Sequence, residues 1–182
     1  MSAGVTHYDV MPIPPIESQT TWFPAGVIAF GVEYRLLNDA IAAAHTGVKA
    51  MGQDPSDAPV GLDSGVSIHV VDNRGESPVE HLRFDCFVED PHYHYISWKD
   101  RSNDMVHLDP IANGDPLFWA LDRLRTRLPQ MLSRAGADDL LAALDPMLLE
   151  QVLPRVAEAA YRARYQHDDE SVLRDALAGA AR

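Results

Sequence analysis

The sequence predicts an α+β fold, with an antiparallel β-meander of about four to five strands and a C-terminal layer of about four helices packed on one face. Between residues 27 and 114, runs of β-branched and aromatic residues alternate with short turn-forming segments, as in strands joined by hairpins. After residue 114, apolar residues recur three or four positions apart, which is the helical period.

The chain of 182 residues is expected to form one domain with three parts. Residues 1–26 are predicted to form an extended, proline-rich arm. Residues 27–114 form the β-rich part with one helix, and residues 115–182 form the helical part. Large apolar side chains in WFPAG (22–26) indicate that the arm either packs over the sheet or embraces a second copy of the chain.

The β-rich part begins with a strand over residues 27–34, where β-favouring side chains dominate. A helix is predicted over 36–51 because apolar residues fall three or four apart. Turn-forming residues over 53–65 predict the longest loop. The remaining strands are predicted at 65–72, 79–89, 92–99 and 105–109.

Two Asp-Pro pairs, Asp115-Pro116 and Asp145-Pro146, predict helix starts, since aspartate caps a helix and proline is tolerated at its first position. Pro129 is expected to kink or end the first of these helices. Helical segments are predicted at 117–132, 137–144, 147–165 and 170–181, the last capped by Asp168 or Asp169.

Composition excludes several classes of protein. The net charge of −12 makes the surface repel phosphate backbones, so we expect neither nucleic acid nor a membrane as a partner. The single cysteine, Cys86, excludes an internal disulfide and a cysteine zinc cluster. No signal-peptide pattern begins the chain, and no apolar run approaches the roughly 18 residues of a membrane span. We therefore expect a cytoplasmic protein.

The segment EDPHYHY (89–95) carries the candidate functional residues. If Asp90 and Pro91 form the tip of a hairpin, Glu89 lies opposite His92 and Phe87 lies opposite His94. A three-residue loop would instead shift the register by one residue. With the first register, one face carries His81, Arg83, Asp85, Phe87, Glu89, His92, His94, Ile96 and Trp98. The other face, predicted to be the core face, carries Leu82, Phe84, Cys86, Val88, Tyr93, Tyr95 and Ser97.

A metal site is the first interpretation of this face. A His-x-His pair on a strand directs two imidazoles to the same side. With a carboxylate nearby, such a pair suits zinc or non-haem iron(II). The predicted ligands are His92, His94, Asp85 and Glu89. His69 and His107 are further candidates, although His107 is expected opposite Ser97, on the other face.

A metal-free site is the second interpretation. Arg83 would bind the carboxylate of a small organic ligand. His94 or His92 would act as general acid or base, oriented by Asp85 or Glu89. The third interpretation is a purely structural face, on which Arg83 and Asp85 satisfy each other.

Two functions are compatible with this pattern. The first is a small enzyme that acts on a small organic molecule, with or without a metal. The alternative is a non-catalytic accessory subunit or a homo-oligomeric binding module, whose partner is an enzyme subunit or a second copy of the chain.

Overall fold

The computed structural model describes residues 4–9, 11–38, 41 and 63–179. Over these residues the fold is α+β, and every neighbouring pair of strands is antiparallel. The single sheet has seven strands in the order β1-β7-β6-β5-β4-β3-β2. The strands are β1 (Val5–Tyr8), β2 (Thr21–Ala25), β3 (Ile28–Leu37), β4 (Asp63–Asp72), β5 (Val79–Phe87), β6 (His92–Ser97) and β7 (Ser102–His107).

The strand count exceeds the predicted four to five because the proline-rich arm supplies both edges of the sheet. β1 pairs with β7, and β2 pairs with β3. Pro24 obscures β2 in the sequence, but a proline is tolerated on an edge strand, where one side of the strand lacks a ladder. Phe23 of the same strand is buried in the core. The arm is therefore part of the sheet.

The predicted helix over 36–51 is wrong at its start, because Leu36 and Leu37 belong to β3. Residues 39, 40 and 42–51 lie outside the described residues. So do residues 53–62 of the predicted loop, whereas residues 63–65 belong to β4.

Helices follow the sheet in the chain, as predicted, and begin at Pro110. Asp115 and Asp145 cap their helices, accepting hydrogen bonds from the N–H groups of Phe118 and Met147 respectively. Asp168 also acts as a cap. The helices in the described residues are α1 (Pro110–Asn113), α2 (Pro116–Thr126), α3 (Leu128–Arg134), α4 (Asp138–Leu141), α5 (Pro146–Tyr165) and α6 (Asp169–Gly179). None of them is long and apolar enough to cross a bilayer.

The helices pack on the face of the sheet that was predicted to be the core face. Leu82 and Phe84 of β5 are fully buried in this core. The Trp119 ring of α2 contacts the rings of Phe84 and Tyr93, with centroids 6.3 and 5.1 Å apart. Val88 was placed on the same face but lies beyond β5 and is exposed. The opposite face is the polar face, where Arg83, Asp85, His92 and His94 are also buried.

The register of the β5–β6 hairpin differs from the predicted one by four residues. Asp85 lies opposite His92, and Arg83 lies opposite His94. The connection spans residues 88–91. It begins at Val88 because the N–H group of this residue donates to the Ser64 carbonyl and not to β6. An even shift leaves Arg83, Asp85, His92 and His94 on their predicted face, while the facing pairs are corrected.

Candidate metal centre

Three of the predicted ligands meet on the polar face. Asp85 of β5 directs Oδ2 toward the Nε2 atoms of both His92 and His94 of β6, each 3.3 Å away. The three ligand atoms all lie within 4.8 Å of one another, and all three residues are buried. These side chains are the triad. The strand geometry produces it, because residues two apart on β6 share a face and Asp85 lies directly across from the first of them.

The other ring nitrogen of each histidine is held by an acceptor. Nδ1 of His92 lies 2.7 Å from the Asp90 carbonyl oxygen. Nδ1 of His94 lies 2.7 Å from Oδ1 of Asn103 on β7. A carbonyl oxygen only accepts, so each Nδ1 carries the proton and donates it. Such bonds set the tautomer in histidine ligands of metals.

This tautomer leaves an excess of acceptors at the centre of the triad. The Nε2 of a neutral ring with a protonated Nδ1 is an acceptor, and so is the carboxylate that it faces. The second oxygen of Asp85 already accepts a hydrogen bond from the Ser67 hydroxyl. Acceptors facing one another in a buried site are favourable only with a proton or a cation between them. A proton or a bound cation would each satisfy these acceptors, and the three residues are placed so that they could hold a metal ion.

Burial and neighbouring charges shift the pKa values of the same three groups. Burial alone would raise the pKa of Asp85, but its interactions with His92 and His94 and the charge of Arg83 hold that pKa well below its usual range. Burial lowers the pKa of His94. For His92 burial acts in the same direction, but the Asp85 carboxylate outweighs it and the pKa is raised. Asp85 is thus ionised and His94 neutral, while the proton on His92 is the one that a metal would displace.

A short loop positions the hairpin end of the triad. The Asp63 carboxylate accepts hydrogen bonds from the N–H groups of Glu89 and Asp90, at 3.0 and 2.9 Å. This holds the Asp90 carbonyl against His92. Glu89, a predicted ligand, does not join the triad. It lies on the exposed loop that connects β5 and β6, and Asp85 takes the position opposite His92.

Arg83 is buried on the same face, but its guanidinium is already engaged. Nε and Nη2 donate to the two carboxylate oxygens of Glu80, at 2.9 and 2.7 Å. A ligand carboxylate would have to displace Glu80 in order to use this fork. Asp85 is therefore not the hydrogen-bonding partner of Arg83, and the guanidinium is not free for a ligand carboxylate.

His69 lies in a second buried cluster and is not available as a ligand. Its Nδ1 is 2.5 Å from Glu80, and its Nε2 is 2.9 Å from Glu33. A β-bulge creates this contact: Val70 faces Leu82, but Val71 faces Glu80, so the ladder skips His81. Glu80 thereby joins the polar face, where His81 had been predicted. We call Glu33, His69, Glu80 and Arg83 the His69 cluster.

His107 lies on the polar face, and its predicted position opposite Ser97 is wrong. It faces His92 across the β6–β7 ladder, with ring centroids 6.1 Å apart. Its Nδ1 is 2.7 Å from Oδ1 of Asp90. One aspartate therefore orients two histidines, one through its carbonyl and one through its carboxylate. The roles of Asp90 and Asn103 in orienting the histidines were not predicted, because neither role is visible in the sequence without the strand register.

A family model matches most of the chain. A family model described as "Domain of unknown function (DUF7700)" matches residues 22–160, which include the triad and the His69 cluster. No curated protein and no solved structure matches the chain significantly. Since the matched range covers most of the 182 residues, the chain belongs to this family of domains of unknown function.

Proposed function

We propose that this chain is a metal-dependent enzyme that binds one divalent ion through Asp85, His92 and His94 and acts on a small organic molecule. The observation that carries the proposal is the direction of the three side chains. Two imidazole Nε2 atoms face one carboxylate oxygen at 3.3 Å, while both Nδ1 atoms are held by acceptors. Three protein ligands leave coordination positions for water and substrate, as catalytic metal sites require.

Zinc is the metal we favour, with iron(II) second. Ligand atoms about 2.0–2.1 Å from a tetrahedral zinc ion lie about 3.3 Å from one another. An octahedral iron(II) site of the facial two-histidine, one-carboxylate type would bring neighbouring ligand atoms to about 3.0 Å. The separation between Asp85 Oδ2 and each Nε2 is 3.3 Å, which supports the tetrahedral arrangement.

The ligand set also suits a Lewis acid. Two neutral imidazoles and one carboxylate leave a net positive charge on a divalent ion, which would polarise a substrate carbonyl or acidify a bound water. Of the residues nearby, His107 is the candidate to move a proton. Its Nδ1 is held by Asp90, so its Nε2 is left to accept or donate one, and the side chain is partly open to solvent.

Metal content is the first test of this proposal. We expect elemental analysis of tag-free protein, reconstituted with zinc, to give about one ion per chain. Asp85→Asn and the double variant His92→Ala/His94→Ala should lose the ion while keeping the circular dichroism spectrum of the parent. His81→Gln is the matched control, since this histidine lies on β5 outside the triad, and it should retain the ion.

Two results would defeat the proposal. One is a parent protein that retains neither zinc nor iron after reconstitution. The other is a bound ion that survives the loss of both His92 and His94. His107→Asn should keep the metal, so any activity found in a substrate screen and lost in this variant separates proton transfer from metal binding.

A second candidate function, the accessory subunit, is favoured by a separate observation. Large apolar side chains on three helices are well exposed, namely Ile111 (94%), Phe118 (66%) and Met147 (73%). Large exposed apolar side chains mark an interface when they form one contiguous patch. Light scattering and a pull-down from the native host test this candidate. A monomeric protein with which no partner is recovered would count against it.

A further inference from the structure

A recess lies on the helix-covered side of β6, where α2 and α3 meet above the sheet. Its volume is about 290 Å³, at the lower end of the range for small-molecule sites. Side chains alternate along a strand, so the residues of β6 that line it, Tyr93 and Tyr95, alternate with the histidines of the triad. Its principal lining residues are Tyr93, Tyr95, Trp119, Arg123, Arg127 and Arg134.

The recess is cationic in a protein whose net charge is −12. Among the residues that the structure describes, three guanidinium groups line it and no carboxylate does. Within the described residues these arginines make one ion pair, between Arg123 Nη2 and Asp122 Oδ2 at 3.2 Å. Nε of Arg123 is buried and has no hydrogen-bond partner in the same part of the chain. A buried donor without an acceptor is costly, and a bound anion would supply the acceptor.

The walls of the recess are aromatic. The Tyr93 and Trp119 rings lie 5.1 Å apart, inclined at 39°. The Arg134 guanidinium lies 4.2 Å from the centroid of the Tyr95 ring, and that of Arg123 lies 5.4 Å from the Trp119 ring. Burial raises the pKa of Tyr93 to about 12, so its hydroxyl stays protonated and remains a donor.

We propose that this recess binds a small aromatic carboxylate, of about the size of a single substituted ring. The aromatic walls would contact the flat apolar body of the ligand. The arginines would bind its carboxylate through charge-assisted hydrogen bonds. Since the triad lies on the opposite face of β6, this ligand does not touch the metal centre, and the proposal is independent of the proposed function.

Isothermal titration calorimetry with benzoate as the probe tests the proposal. Benzoate should bind, and benzamide, which has the same ring without the charge, should bind at least tenfold more weakly. Arg127→Met and Arg134→Met should each weaken benzoate binding by about tenfold. Both side chains are exposed, so these variants should keep the fold. Arg125→Met is the matched control: it lies on α2, pairs with Asp122 and should leave the affinity unchanged.

Three outcomes would overturn the proposal. The first is an absence of benzoate binding in the parent protein. The second is binding that the Arg127→Met/Arg134→Met double variant leaves unchanged. The third is inorganic phosphate that displaces benzoate at equal concentration, because the recess would then select charge alone. Benzoate binding that persists in His92→Ala/His94→Ala would support a site separate from the metal centre.

Discussion

The two histidine clusters of the polar face have inverse compositions. In the His69 cluster, one imidazole lies between the carboxylates of Glu33 and Glu80. In the triad, one carboxylate lies between two imidazoles. Both are buried, and both are built on neighbouring antiparallel strands. The inverse ratio of acid to imidazole gives them different chemistry.

The His69 cluster satisfies itself. His69 is hydrogen-bonded at both ring nitrogens, at 2.5 and 2.9 Å. Burial would lower its pKa, but the two carboxylates outweigh burial and raise it. The charges of Glu80, Arg83 and His69 then alternate. The triad lacks that balance, and its 3.3 Å separations exceed those in the His69 cluster. The cation site proposed above is therefore the cluster in which imidazoles outnumber carboxylates.

The largest effect expected from this comparison concerns stability. Glu80→Gln leaves the charges of Arg83 and His69 without their buried partner, which should cost about 3–5 kcal/mol, with or without zinc. Asp85→Asn should instead remove the stabilisation that zinc provides, about 2.7 kcal/mol at a hundredfold excess over Kd. Urea unfolding with and without zinc measures both. If Glu80→Gln abolished zinc binding in folded protein, the clusters would be one unit and the comparison would fail.

The next effect is the pH dependence of the His69 cluster. Although burial opposes the shift, the charges of Arg83 and His69 lower the pKa of Glu80 from 4.5 to about 2. The contribution of Glu80 to the free energy of unfolding is therefore present above pH 4.5 and is lost as the pH falls toward 2. The pKa of His69 is raised, so its contribution to the free energy of unfolding depends on pH in the opposite direction. Its contribution is complete below pH 6.5 and is lost as the pH rises through the folded-state pKa.

Unfolding free energies measured from pH 2 to 9 test both signs. Between pH 4.5 and 2 the parent protein should lose on the order of 3 kcal/mol more than Glu80→Gln does. Asp85 titrates in both proteins, so its effect cancels in the difference. Parallel pH profiles for the two proteins would show that Glu80 is not the group responsible.

The smallest effect concerns the orientation of His94. Asn103→Ala removes the acceptor that holds Nδ1 of this ring at 2.7 Å. Loss of such a partner typically lowers metal affinity by about 10–100-fold, or about 1.4–2.7 kcal/mol. Competition titration with a zinc chelator measures the change. Ser102→Ala, at the adjacent position on β7, is the control, and an equal loss there would remove the special role of Asn103.

The features that the sequence predicts correctly are those with local causes. Asp115-Pro116 and Asp145-Pro146 mark helix starts because capping involves only the next few residues. The two faces of the hairpin are also predicted correctly, since alternation survives an even change of register. The position of His92, His94 and Asp85 on one face follows from that alternation alone.

The features that the sequence does not predict depend on partners far along the chain. The four-residue connection exists because Asp63 binds the loop, which moves Glu89 away from His92 and puts Asp85 there. The bulge that brings Glu80 to His69 has no pattern of its own in the sequence. β1 and β2 were not predicted, because a proline-rich sequence near an edge strand has the same composition as an irregular extended arm.

The short span of the triad along the chain has a consequence for folding kinetics. All three ligands fall between residues 85 and 94, within one hairpin, whereas His69 and Glu33 are 36 positions apart. Closing a short loop costs little entropy, and local contacts form early. A hairpin that binds the proposed ion could therefore capture it before the rest of the sheet assembles. A bound metal would then accelerate refolding more than it slows unfolding, while the His69 cluster would act mainly on the unfolding rate.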